Sequence, residues 1–233
     1  MFAPALFAVA GLVLAVDGEF YDGGGQTVEY ISVTGSDITV TNVHVSDSAP
    51  GVNGVNVRGN RNTLRNLLVE RAGAAGVYFV SGTGHVLEDS VVRDPVRRPG
   101  KDSWGIYSAT AGRVTVRRTT VHGSGFANYA PGGSAVLEDN HFIVPPHYRT
   151  DCNGNPEPDG PCQCAEFGVA LKSGNIVIQR NWISGYRTAD PVCGGSGTPG
   201  AGISIAACTS ANPCPTRNVE VLSNIISASH AGI

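Results

Sequence analysis

One short template recurs along the chain, and it restricts the fold more than any other feature. "GVNVRGNRNTLRNLLV" (54–69), "GVYFVSGTGHVLEDSVV" (76–92), "GIYSATAGRVTVRRTTV" (105–121), "GFANYAPGGSAVLEDNHF" (125–142) and "GVALKSGNIVIQRNWI" (168–183) share one plan. Each runs Gly plus apolar, then a turn, then a second apolar alternation closed by Asn, Ser or Thr. The plan fits again over 202–226, and "ITVTNVHV" (38–45) is a partial copy. The closing residues are Asn42, Asn66, Ser90, Thr119, Asn140, Asn181 and Asn224, at spacings of 24, 24, 29, 21, 41 and 43. The short spacings suit one coil of a solenoid; the long ones are coils carrying inserted loops. Alternating segments this short, with turns every few residues, are strands rather than helices. Each unit has too little apolar surface to fold alone, so the coils must stack.

Composition agrees. Charged residues make up 15% of the chain and glycines number 31, which suits tight turns and argues against a disordered chain or a helical bundle. The formal net charge of -3 gives no general pull toward nucleic acid or an anionic membrane, so an acidic polymer needs a local basic patch. The opening "MFAPALFAVAGLVLAV" (1–16) is too short to span a bilayer comfortably and reads as a signal peptide or as an apolar N-terminal cap. A single domain of about seven coils is expected over 17–233. Its last residues, "SASHAGI", begin another coil and stop, so a truncated chain and self-association through an open β edge are expected there. The six cysteines, Cys152, Cys162, Cys164, Cys193, Cys208 and Cys214, all fall in one loop-rich region. An even count there suggests disulfides, with Cys208–Cys214 closing "CTSANPC", and hence a secreted protein; zinc is the rival reading.

Over residues 17–233 the repeat resembles the right-handed parallel β-helix of the pectate-lyase-like superfamily. The resemblance implies an all-β solenoid. It also implies that the closing asparagines stack as a ladder from coil to coil, which is a structural role.

Strand parity then sorts the faces. With Val55, Val77, Ile106, Phe126, Val169 and Ile203 inside, Asn56, Tyr78, Tyr107, Ala127, Ala170 and Ser204 point out. Two positions on, the outward row reads Arg58, Val80, Ala109, Tyr129, Lys172 and Ala206. Tyr78 and Tyr107 should lie about 4.8 Å apart, where they can stack on a sugar or on each other. Lys172 should sit beside Tyr129, either free for a polymer or laid over the ring. Function also collects on inserted loops. "RDPVRRPGKDSW" (93–104) brings Lys101 and Asp102, and "PPHYRTDCNGNPEPDGPCQCAE" (145–166) brings His147, Tyr148, Arg149 and Glu166. Their basic residues suit an acidic sugar. Asp151, Asn153, Asn155, Glu157 and Asp159 imitate the start of a calcium loop, but Pro156 and Cys162 stand where Gly and Glu belong. The repeated Glu88–Asp89 and Glu138–Asp139 read as structural, and their members should point to opposite faces.

"KSGNIVIQRN" is similar to the Lys-Ser motif of the β-helical alginate lyase and chondroitinase B-like family, with Asn181 nine positions after Lys172. That resemblance implies a polysaccharide lyase acting on an acidic, uronate-containing polymer. Lys172 would be the base, and calcium would be held by Glu166 and Asp102. Arg149 and Arg187 are the candidates for the acid. Tyr78, Tyr107, Tyr129, Arg58, Lys101, His147 and Tyr148 would contact the substrate. Cys164 and Ala165 stand where a second carboxylate is expected. The rival function is a β-helix that binds glycan or builds an adhesive structure without catalysis.

Overall fold

The computed structural model describes residues 10–93, 104–130, 132–144, 167–172, 174–186, 201–205 and 218–227. These residues hold 22 strands and no helix, so no helix among them is long and apolar enough to cross a membrane. Their pairings are parallel. Face 1 stacks, in order, Leu12–Leu14 (β1), Ile31–Val33 (β3), Val55–Val57 (β5), Val77–Phe79 (β8), Ile106–Ser108 (β11), Phe126–Asn128 (β14), Phe167–Leu171 (β17) and Ala201–Ile205 (β20). The second sheet bends at Thr39–Ser46 (β4). The start of β4 pairs with Thr63–Arg65 (β6), and its end pairs with Leu68–Glu70 (β7).

That bend makes two further faces. Face 2 continues through His85–Glu88 (β9), Arg113–Arg117 (β12), Ser134–Glu138 (β15), Ile176–Gln179 (β18) and Val219–Leu222 (β21). Face 3 continues through Val91–Arg93 (β10), Thr120–His122 (β13), His141–Ile143 (β16), Trp182–Ser184 (β19) and Ile225–Ser227 (β22). Phe20–Val28 (β2) lies along β4 across both. The result is a three-sided parallel β-helix. Its described coils number eight rather than seven. The extra one arises because Leu12–Leu14, inside the segment read as leader or cap, pairs with Ile31–Val33.

The expected inward row is in register from coil to coil, and Val55, Val77, Ile106, Phe126, Val169 and Ile203 are fully buried. Burial stabilises by roughly 1.5–3 kcal/mol for each large apolar side chain. The template glycine exists because coils meet backbone to backbone just before face 1. A Cβ on Gly125 would lie 1.9 Å from the carbonyl oxygen of Gly168, and one on Gly76 would lie 2.6 Å from that of Gly105.

The corners hold a second ladder. Asp37, Asp47, Asp89 and Asp139 have left-handed backbones, and so do Arg61, Arg71, Arg118 and Arg180. Each of these arginines grips the aspartate one coil before it through Nε and an Nη nitrogen: Arg61 on Asp37, Arg71 on Asp47, Arg118 on Asp89 and Arg180 on Asp139. A left-handed backbone is unfavourable for arginine. The bidentate pair offsets that cost.

The corner also corrects two readings. Glu88 and Asp89 do converge: Arg118 contacts both, because Asp89 turns the corner instead of continuing the strand. The asparagine row is not one row either. Asn140 and Asn181 are buried and bond onward to Asn181 and Asn224. Asn42 and Asn66 sit one register position earlier, at the left-handed corner itself, where Asn66 Nδ2 donates to Asn42 Oδ1.

Candidate functional site

Face 1 places Asn56, Tyr78, Tyr107, Ala127, Ala170 and Ser204 side by side on successive strands, as parity predicts. The rings of Tyr78 and Tyr107 are stacked, 5.2 Å between centroids and 29° between planes. Tyr107 meets Tyr129 edge to face at 5.8 Å. Trp104, only 7% exposed, also meets Tyr129 edge to face, at 6.2 Å. Trp104, Ala127 and Ala170, with Phe167 and the two tyrosines packed against them, form an apolar layer outside the sheet and separate from the main core. Trp104 was not singled out in the sequence. Its place immediately before the template Gly105, in the position that Ala75 and Ser124 hold in neighbouring coils, is the signal that would have found it.

Lys172 follows β17. Its backbone N–H donates to the carbonyl of Asn128, which fixes where the side chain leaves the sheet. The ammonium lies over the Tyr129 ring, 4.3 Å from the centroid. Of the two positions open to the lysine, free or laid over the ring, the structure has the one over the ring, with the charged head above the π face. Such a contact contributes about 0.5–1 kcal/mol at an exposed site. Arg58 is exposed in the same outward row. The face thus brings together Tyr78, Tyr107, Tyr129, Lys172 and Arg58.

Arg149, Arg187, Lys101, His147, Tyr148, Glu166 and Asp102 lie outside the described residues, as do all six cysteines, the calcium-like loop and Ala206. The described outer rows of face 1 carry no carboxylate, and no three His, Cys, Asp or Glu side chains converge among the described residues. The chain's described side chains here therefore do not make a calcium cage.

The polar clusters elsewhere are taken up by the frame. Glu88 is 1% exposed and receives Arg65, Arg117 and Arg118. Burial pushes its carboxyl up, but Arg65 and Arg117 outweigh burial and hold it below the usual range. On face 3, His44 links Thr27 Oγ1 (3.3 Å to Nδ1) with Glu70 Oε1 (2.9 Å from Nε2). That is a hydroxyl, an imidazole and a carboxylate in line. Arg93 and Arg71 also hold both Glu70 oxygens, so the carboxylate belongs to an ion-pair network.

The family model described as "Right handed beta helix region" matches residues 29–233. No curated protein matches the sequence. Among solved structures, the chain is similar to an alginate lyase from Paenibacillus sp. str. FPU-7, at 15% identity and a TM-score of 0.48, over 95% of this chain and 80% of that one.

Proposed function

The chain belongs to the right-handed β-helix family, and on that frame we propose a carbohydrate-active protein whose face 1 binds an acidic polysaccharide. The observation that carries the reading is the run of rings from Tyr78 through Tyr107 to Tyr129, ending under the Lys172 ammonium. The C–H faces of sugars pack on aromatic rings, and a sugar carboxylate is recognised by a cation. A neutral glycan would use the rings and leave the lysine idle. Secretion goes with the same reading, on the count of the cysteines.

The finer reading is a polysaccharide lyase. In β-elimination a base takes the proton from the carbon beside the carboxyl group, the C–O bond to the leaving sugar breaks, and an acid protonates the departing oxygen. Lys172 is the proposed base; it has to swing off the Tyr129 ring to reach that proton. Arg149 and Arg187 are proposed for the acid, and Glu166 with Asp102 for a calcium ion on the carboxylate.

Retention in gels containing alginate, pectate or a glycosaminoglycan tests binding, and absorbance of unsaturated uronates, with and without calcium, tests elimination. Retention is expected to weaken by roughly tenfold in Tyr107→Ala. A rise in absorbance that disappears in Lys172→Ala makes the protein a lyase. Retention without any rise makes it a binding module. A folded protein that no acidic polymer retains overturns the proposal.

A further inference from the structure

Face 1 differs from the rest of the surface in how its cations are used. Among the described residues, every arginine except Arg58 and Arg113 is paired with a carboxylate. Among the same residues, Lys172 has only the Tyr129 ring. Two of the three cations that no described carboxylate neutralises therefore stand in one outward row of face 1, where the described positions carry no acid.

That row is straight. The parallel ladder continues one residue past the strands: Arg58 N–H donates to Val33 O, Val80 to Val57 O, Tyr129 to Ser108 O and Lys172 to Asn128 O. Arg58, Val80, Ala109, Tyr129 and Lys172 are thus successive rungs. Four steps of about 4.8 Å separate the two cations, roughly 19 Å. The three tyrosine rings lie between them and touch one another along the same direction. A polymer lying along a strand would meet at most one such cation and one ring. A polymer lying along the stack meets both cations and all three rings.

Resting on the reading of face 1 as a polysaccharide site, we infer that the polymer lies along the helix axis and that Arg58 binds a second carboxylate, four coils from the one at Lys172. Arg58 is then a specificity-determining residue. It selects chains long enough to span the row and charged at both ends of that span. A sugar ring is about as long as one coil step, so about five rings bridge the distance.

The test uses the whole chain and acidic oligosaccharides of about two to eight rings, cut from whichever polymer the protein retains, titrated by calorimetry. Affinity is expected to rise roughly three- to tenfold once the oligomer reaches about five rings. Arg58→Ala should lose that gain while binding short oligomers as the parent does, with an unchanged thermal midpoint. Arg113→Ala, an exposed arginine off the row, should bind like the parent at every length. If Arg58→Ala matches the parent at all lengths while Lys172→Ala is weakened, the polymer runs along a strand instead of along the axis; the inference falls and the site survives. Equal weakening in Arg58→Ala and Arg113→Ala reduces the effect to general charge and also overturns it. A parent that binds no acidic oligomer or polymer fails the site itself, which distinguishes the two failures.

Discussion

The corners and face 1 are built from overlapping residue types to opposite ends. At the corners each arginine lies on an aspartate of the neighbouring coil, so charge closes on itself and fixes the register. On face 1 the cations face no described carboxylate, and the neighbouring rings pack on one another and on the lysine. A repeat protein needs the first arrangement to stack at all. The second is not required for stacking, since Ala127 and Ala170 hold the same register position as Tyr107 in the following coils. The contrast teaches that in this solenoid unpaired cations aligned with a run of rings, rather than charge itself, mark the surface left for a partner. It also implies separable failures: corner and interior changes should act on stability, face 1 changes on binding.

The largest effect is expected from Gly125→Ala. The new Cβ would stand 1.9 Å from a backbone oxygen of the next coil, and backbone cannot rotate away as a side chain can. A loss above about 3 kcal/mol is expected, read as a fall in soluble yield and in the urea midpoint. A variant as stable as the parent would mean that the coils are not in backbone contact there, and the frame side of the comparison would break.

Next in size is Glu88→Gln. The carboxylate is buried, but its three arginine partners are 40–57% exposed and can turn to water, so the loss is discounted to about 2 kcal/mol at pH 7. The sign with pH follows from its lowered folded pKa. A group held lower in the folded state stabilises above its unfolded value and loses that contribution as pH falls through the folded one. The gap between variant and parent should therefore be full at neutrality and close only as pH falls below the ordinary glutamate range. The parent itself should weaken from there toward pH 2, since Asp47 is pulled to about 2 by hydrogen bonds from Arg71 and Ser46. Equal urea midpoints for variant and parent at pH 7, or a gap that persists into acid, would remove Glu88 from the frame.

How far the sequence reveals each region follows from the range of the interactions. Alternation is local, so the inner and outer rows of face 1, down to the Tyr78–Tyr107 contact and Lys172 over Tyr129, are legible from the template alone. The corner ladder joins residues a full coil apart, and a left-handed turn leaves no mark in an apolar pattern. Yet Asp37 to Arg61 and Asp47 to Arg71 are each 24 apart, Asp89 to Arg118 is 29 and Asp139 to Arg180 is 41, which repeat the spacings of the template itself. Searching Asp–Arg pairs at the coil period would have found the ladder. The one-residue slip at Asn42 and Asn66 escapes for the opposite reason: a count between similar residues cannot tell a corner position from the position after it. The candidate acid and calcium ligands rest on inserted loops, where the repeat supplies no register to read.

The smallest expected effect has the reverse sign and lies directly beneath the tyrosines. Ser108 and Asn128 face inward on neighbouring strands of face 1, in register and fully buried. Ser108 Oγ and Asn128 Nδ2 have no hydrogen-bond partner among the described residues, although one could donate to the other. A buried hydroxyl without a partner costs about 1–3 kcal/mol, and removing one small oxygen leaves almost no cavity. Ser108→Ala is therefore expected to raise stability by up to about 1 kcal/mol while leaving polymer retention unchanged, because the outward Tyr107 beside it is untouched. The urea midpoint decides. A rise keeps the two sides of face 1 independent. A fall means that the hydroxyl has a partner in solution, a bridging water shared with Asn128 being the simplest, and that the inner side of this face is hydrated at that point.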